Sequence, residues 1–107
     1  MVADLDEVRR ALEDYLGAWL EQLMLRAAVE NGFAPAHVYM TAEFQSREEV
    51  RYKVRLGAPM EWGAFEALLE AARAAGIHPV SLDPTERGLD VLMVGPLPVD
   101  VRRLARL

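Results

Sequence analysis

The chain of 107 residues has no cysteine, and a single lysine stands against eleven arginines. Missing thiols exclude disulfides, thiolate metal sites and thiol catalysis. Long apolar runs are missing too: the longest, Val91 to Val99, is nine residues with two prolines inside. A bilayer-crossing helix needs roughly 20. Positive charge is in deficit, 12 basic residues against 17 acidic ones for a net −5, whereas nucleic-acid binders usually carry a basic surplus. The opening Met1-Val2-Ala3-Asp4-Leu5-Asp6-Glu7 lacks the basic and apolar regions of a secretory signal. The expected setting is cytoplasmic.

Catalytic and cofactor signatures are also lacking. The two serines, Ser46 and Ser81, sit in no G-x-S-x-G elbow, and the seven glycines are scattered with no phosphate-cradling loop. No His-x₃-His spacing is present. His37 and His78 could share a metal with Asp83 or Glu86, but isolated structural or surface histidines are the simpler reading. Asp83-Pro84-Thr85-Glu86, followed by Arg87-Gly88, reads as turn chemistry. We expect no cofactor, no metal site and no catalytic residue.

What is present is enough for one core. Hydrophobic residues make up 52% of the chain, too many for disorder, and the length suits one domain over residues 1–107. The arginine bias and the abundance of Ala and Leu suggest a GC-rich, thermophilic source, where ion-pair networks gain weight.

Periodicity organises the chain. Leu5, Val8, Leu12, Leu16, Trp19, Leu23 and Ala27 recur at helical spacing and predict a helix over residues 4–31, broadly apolar from Trp19 to Val29 and capped by Gly32. So broad a stripe has room for a second subunit on one side. Two alternating strands follow. Val38, Met40, Ala42 and Phe44 share a face, as do Val50, Tyr52, Val54 and Leu56, joined by the polar loop Gln45-Ser46-Arg47-Glu48. Keeping both apolar sets together pairs Phe44 with Val50, Ala42 with Tyr52 and Met40 with Val54, and it sets Glu43 opposite Arg51. A second helix is predicted over 60–75, with Trp62, Phe65, Leu69 and Ala72 as its stripe and Leu68 beside it. A second hairpin spans 77–83 and 89–94, turning through 84–88. Val91-Leu92-Met93-Val94 is continuously apolar, as expected of a central strand covered on both faces. Val101, Leu104 and Leu107 suggest a short C-terminal helix, whose Arg102, Arg103 and Arg106 suit its negative end or an acidic partner.

Punctuation repeats as well: Asn31-Gly32-Phe33 matches Ala75-Gly76-Ile77, and Leu56-Gly57-Ala58-Pro59 matches Val94-Gly95-Pro96. The expected fold class is α+β, two αββ units forming a four-stranded antiparallel sheet in the order 1-2-4-3. Both helices lie on one face, a permuted ferredoxin-like arrangement with the short C-terminal helix added. Pro35 and Pro79 then fall at the starts of edge strands, where a missing N–H is tolerated. This doubled pattern, over residues 4–94, resembles the small permuted ferredoxin-like domains of pilus-assembly and type II secretion platform proteins. The resemblance rests on element order and Gly/Pro punctuation, and it carries over no residue. It implies a dimerising interaction scaffold without chemistry of its own; the N-terminal membrane helix usual in those proteins is not found here.

The outer sheet face is the candidate surface: His37, Tyr39, Thr41, Arg51, Lys53 and Arg55, joined by Leu92 and Val94 if Asp90 faces outward. Mixed apolar and charged residues there suit a protein interface, unless the C-terminal segment covers them. The expected function is a non-enzymatic interaction or assembly domain, homodimeric or an accessory subunit. Two alternatives remain. One is a small-molecule binder or small enzyme with a pocket on the sheet face, or between sheet and helices, lined by Tyr39, His37 and Arg55. The other is RNA binding, with Arg51, Lys53 and Arg55 on phosphates and Tyr39 stacked on a base; the neighbouring Glu43 and Glu49 weaken that case.

Overall fold

The computed structural model describes residues 5–33, 37–46, 48–57 and 59–98. The suggested C-terminal helix, Pro35 and Arg47 lie outside them. Helix α1 (Leu5–Glu30) leads into β1 (Val38–Phe44) and β2 (Glu49–Gly57), then α2 (Trp62–Ala74), β3 (His78–Thr85) and β4 (Gly88–Pro96). The strands form one antiparallel sheet in the order β1-β2-β4-β3. Two helices on such a sheet make an α+β fold consistent with a ferredoxin-like arrangement.

The first hairpin has the register that its hydrophobic pattern demands: Phe44 pairs with Val50, Ala42 with Tyr52 and Met40 with Val54. A slip of one residue would have carried every apolar side chain to the opposite face. Across the β2/β4 seam, Tyr52 meets Met93 and Val54 meets Val91. Those four residues join Leu16, Leu20, Met24, Leu68, Ala72 and Ile77 in one buried cluster between sheet and helices. The second hairpin turns more tightly than expected. Thr85 pairs with Gly88, leaving only Glu86 and Arg87 to make the turn. Pro84 stays inside β3 because an edge strand needs no N–H on its free side.

Both helices end alike. Gly32 and Gly76 adopt φ of 84° and 83°. The Gly32 N–H donates to the Val29 carbonyl and the Phe33 N–H to that of Ala28. Gly76 and Ile77 repeat this pair of bonds to Arg73 and Ala72. This is the Schellman arrangement, and a left-handed residue is what it requires.

The helices are rotated from the orientation that their largest side chains suggest. On α1 the buried row is Leu16, Leu20, Met24 and Ala28. The flanking Leu12, Trp19 and Leu23 are half-buried, and Leu5 is 82% exposed. On α2 the buried row is Ala64, Leu68 and Ala72, while Trp62 is 72% exposed with its ring 5.3 Å from that of Phe65. In both helices the row of every fourth residue lies over the sheet. On α2 the small Ala64 and Ala72 let the backbone approach, which pushes the bulkier Trp62 and Phe65 to the flank.

Helix α1 also closes one edge of the sheet. The Phe44 N–H donates to Glu13 Oε2 at 2.8 Å, and Arg9 Nη2 makes a long 3.5 Å contact to the Phe44 carbonyl. Because side-by-side residues of an antiparallel strand alternate their bonding direction, residues 40 and 42 also turn their polar groups to the free side. Gly17 stands against them: a Cβ placed there would lie 3.8 Å from Ala42 N and from Met40 O. From Leu5 to Glu13 the helix rises about 12 Å at roughly 1.5 Å per residue. Its first two turns therefore project past the end of β1, which leaves Leu5 and Val8 exposed.

Candidate interaction face of the sheet

Alternation puts every second residue of the sheet on the face away from the helices. Pairing registers give three rows. One is Glu43, Arg51, Val94 and His78; the next is Thr41, Lys53, Leu92 and Ser81; the third is Tyr39, Arg55, Asp90 and Asp83. The structure thus brings together Tyr39, Thr41, Arg51, Lys53, Arg55, Leu92 and Val94, as their alternation implies. Asp90 faces outward and fixes the orientation of β4. Leu92 and Val94 are half-buried, although β4 is a central strand. The expected cover on both faces is therefore found only on the helix side among the described residues.

The charges on this face are unevenly paired. Arg55 Nε lies 3.0 Å from Asp90 Oδ1, and this hydrogen bond and the carboxylate's charge raise the Arg55 pKa further above its ordinary value. Glu43 and Arg51 are opposite in register but form no ion pair, and the buried Arg51 Nε has no acceptor among the described residues. Lys53, in the middle row, likewise has no described ion-pair partner. A shallow concavity of about 870 Å³ covers the second and third rows, lined by Tyr39, Thr41, Lys53, Arg55, Asp90 and Leu92, with Ser81, Asp83 and Arg87 along the β3 side.

The expected pocket of Tyr39, His37 and Arg55 is corrected in two respects. The concavity is on the open face, because the space between sheet and helices is filled by the core. His37 does not line it. That residue precedes β1, where its carbonyl accepts from the Gly57 N–H at 2.8 Å. His78 occupies the far end of the opposite edge strand, about 25 Å away by strand spacing and rise. The two histidines therefore cannot share a metal, and no cluster of three His, Asp or Glu residues fit to hold one occurs among the described residues.

Sequence reasoning misses two features. Glu13 reads as one more solvated acid on a helix flank, yet it accepts from the edge of β1. No local signal marks it, since its partner is 31 residues away. Tyr52 is in the core, as its alternation implies, but its buried hydroxyl has no partner among the described residues. Burial pushes its pKa up to about 12.

Fold and face together define a small α+β protein with one sheet surface covered by helices and one that no other described element covers. Comparisons with known protein families, with curated proteins and with solved structures find no match. No described helix is long and apolar enough to cross a membrane.

Proposed function

We propose that the chain is a non-enzymatic protein-interaction domain that works through the open face of its sheet. The observation that carries this reading is β4, a central strand whose Leu92 and Val94 lie half-buried between rows of charge, with Tyr39 65% exposed nearby. Apolar residues ringed by polar ones are the usual composition of a binding patch. Both sheet edges are poorly suited to strand addition. α1 occupies the β1 edge, while β3 contains Pro79 and Pro84 and a register shift between Pro79 and Ser81. That directs association to the face.

The test is a Lys53→Glu variant, since Lys53 is exposed and its reversal leaves the core intact. Far-ultraviolet circular dichroism should match the wild type, while retention of a protein partner on an immobilised column falls at least tenfold. Equal retention of the same partner by both proteins removes the face from consideration.

A second reading is favoured by Lys53 alone: a small carboxylate or phosphate ligand could occupy the concavity and pair with this cation. Chemical-shift changes on Tyr39, Lys53 and Leu92 with millimolar phosphate or citrate would distinguish it from the protein reading. RNA binding draws less support, because the three bases of these rows are matched by three acids.

A further inference from the structure

We infer that the partner of this face is a second copy of the same chain, packed face to face about a two-fold axis that runs along the β2/β4 seam. This rests on the interaction-face reading above and adds the identity and geometry of the partner.

Charge selects this axis. The chain is acidic at −5, yet the twelve positions of the three rows hold three acids, Glu43, Asp83 and Asp90, and three bases, Arg51, Lys53 and Arg55. The three rows are therefore balanced on an otherwise repulsive surface, with Glu49 beyond Arg51 at one end and Arg87 at the other, and two copies can approach there with little like-charge cost. All three bases are on β2, and none is on β4. A two-fold axis over β2 would stack the cationic column on itself, and one over β4 would set Asp90 on Asp90. An axis across the strands would set Lys53 on Lys53 and Arg51 on Arg55. The seam axis avoids all of these. It places Arg55 over Asp90 of the second copy, Glu43 over His78, and Tyr39 over Asp83. The stems of Lys53 and Arg51 come to rest on Leu92 and Val94. Long basic side chains cover apolar surface in this way while their heads reach solvent or an acid.

Strand geometry and area are compatible. A two-fold axis along the strands keeps the two sheets aligned, the usual mode of sheet-on-sheet packing at about 10 Å. Four strands at about 4.8 Å spacing and about 25 Å of length give a patch of about 500 Å² in projection. Side-chain relief brings this toward the roughly 800 Å² that each partner gives to a standard interface.

The experiment uses two single reversals, Arg55→Asp and Asp90→Arg, followed by sedimentation velocity from roughly 1 µM to 1 mM. Both side chains are substantially exposed, 68% and 40%, so the fold should survive, and circular dichroism checks that it does. Wild type should be dimeric, and each variant alone should associate at least tenfold more weakly, because like charges then meet across the seam. Mixing the two variants should restore the dimer, since each reversed position then faces an opposite charge on the other chain. The pair within each chain stays broken in the mixture, so recovery reports the contact between copies. Variants that dimerise as well as wild type, or a mixture that does not recover, overturn the seam geometry. A wild type monomeric throughout overturns self-association. In that case the broader reading stands only if the Lys53→Glu column experiment still shows loss of a partner, and if it does not, both fail.

Discussion

The two αββ units end their helices with the same pair of hydrogen bonds, yet they treat their outer strands in opposite ways. In the first unit a helix of 26 residues runs past the sheet and places Glu13 and Gly17 against the free edge of β1. In the second, a helix of 13 residues touches β3 only sparsely. β3 is left with Leu82 50% exposed even though its Val91 partner is buried. Edge protection is needed twice, and two mechanisms supply it: side chains from a helix on one side, and prolines with an irregular register on the other. The first is a tertiary solution that depends on a distant residue. The second is local and can be seen in the sequence of the strand itself.

The sharpest way to probe this difference is at the glycines that end the two hairpins. A Cβ on Gly95 would lie 2.6 Å from Ile77 Cγ1 and 3.0 Å from Ile77 Cα, in a fully buried surround, so backbone must move. Gly95→Ala should cost about 3 kcal/mol in urea unfolding. Its counterpart Gly57 would meet His37 Cβ at 2.9 Å, but on the exposed approach to β1. Gly57→Ala should cost about 1 kcal/mol. Equal losses would mean that the two hairpin ends are packed alike and that the asymmetry between the units is confined to the edges.

Next in size is the edge itself. Glu13→Ala deprives the Phe44 N–H of its acceptor, and it should lower stability by about 1.5 kcal/mol. Hydrogen exchange at Phe44 should accelerate without a similar change in β3. If Glu13→Ala unfolds at the wild-type denaturant midpoint, α1 is not what closes that edge.

The smallest expected effect is a gain. Tyr52 and Met93 face each other across the two units, and only Tyr52 carries a buried, unpartnered hydroxyl. Tyr52→Phe should raise stability by about 1 kcal/mol. The same hydroxyl predicts a pH dependence. Its pKa stands at about 12 in the folded chain against 10.0 for an unburied phenol. Between these values the unfolded chain has released the proton and the folded chain has not. Stability from this group is complete below pH 10 and falls as pH rises toward 12. Thermal melts from about pH 9 to 12 should show that decline in wild type and a shallower one in Tyr52→Phe. Parallel curves would rule out the hydroxyl as the cause.

Alternation of Val50, Tyr52, Val54 and Leu56 with charged residues specifies the faces of β2. Its agreement with the pattern from Val38 to Phe44 leaves only one hairpin register that keeps all the apolar side chains together. The doubled Gly punctuation marks both helix ends. The helices are less legible: on α2 size selects Trp62 over Ala64 and Ala72, and on α1 the expected stripe shares only Leu16 with the buried row. Trp62 and Leu5 are large, but they fall beyond the area that the sheet can cover. Among the surface residues, the seven strand positions are recoverable by period two. His37 shares that period but precedes β1 and does not line the concavity.

Short-range order in this protein is thus written into its chain: a period of two or nearly four, a turn residue, a terminating glycine. Each involves neighbours within a few positions and needs no knowledge of the rest. Strand order also follows, because a continuously apolar β4 and a β3 that carries Pro79 and Pro84 leave few arrangements open. Only the folded arrangement decides which helix row meets the sheet, that Glu13 serves Phe44, that Asp90 takes Arg55, and that Lys53 is left without a described ion-pair partner. Those outcomes depend on distances between residues far apart in sequence, set by how two helices of unequal length share one sheet.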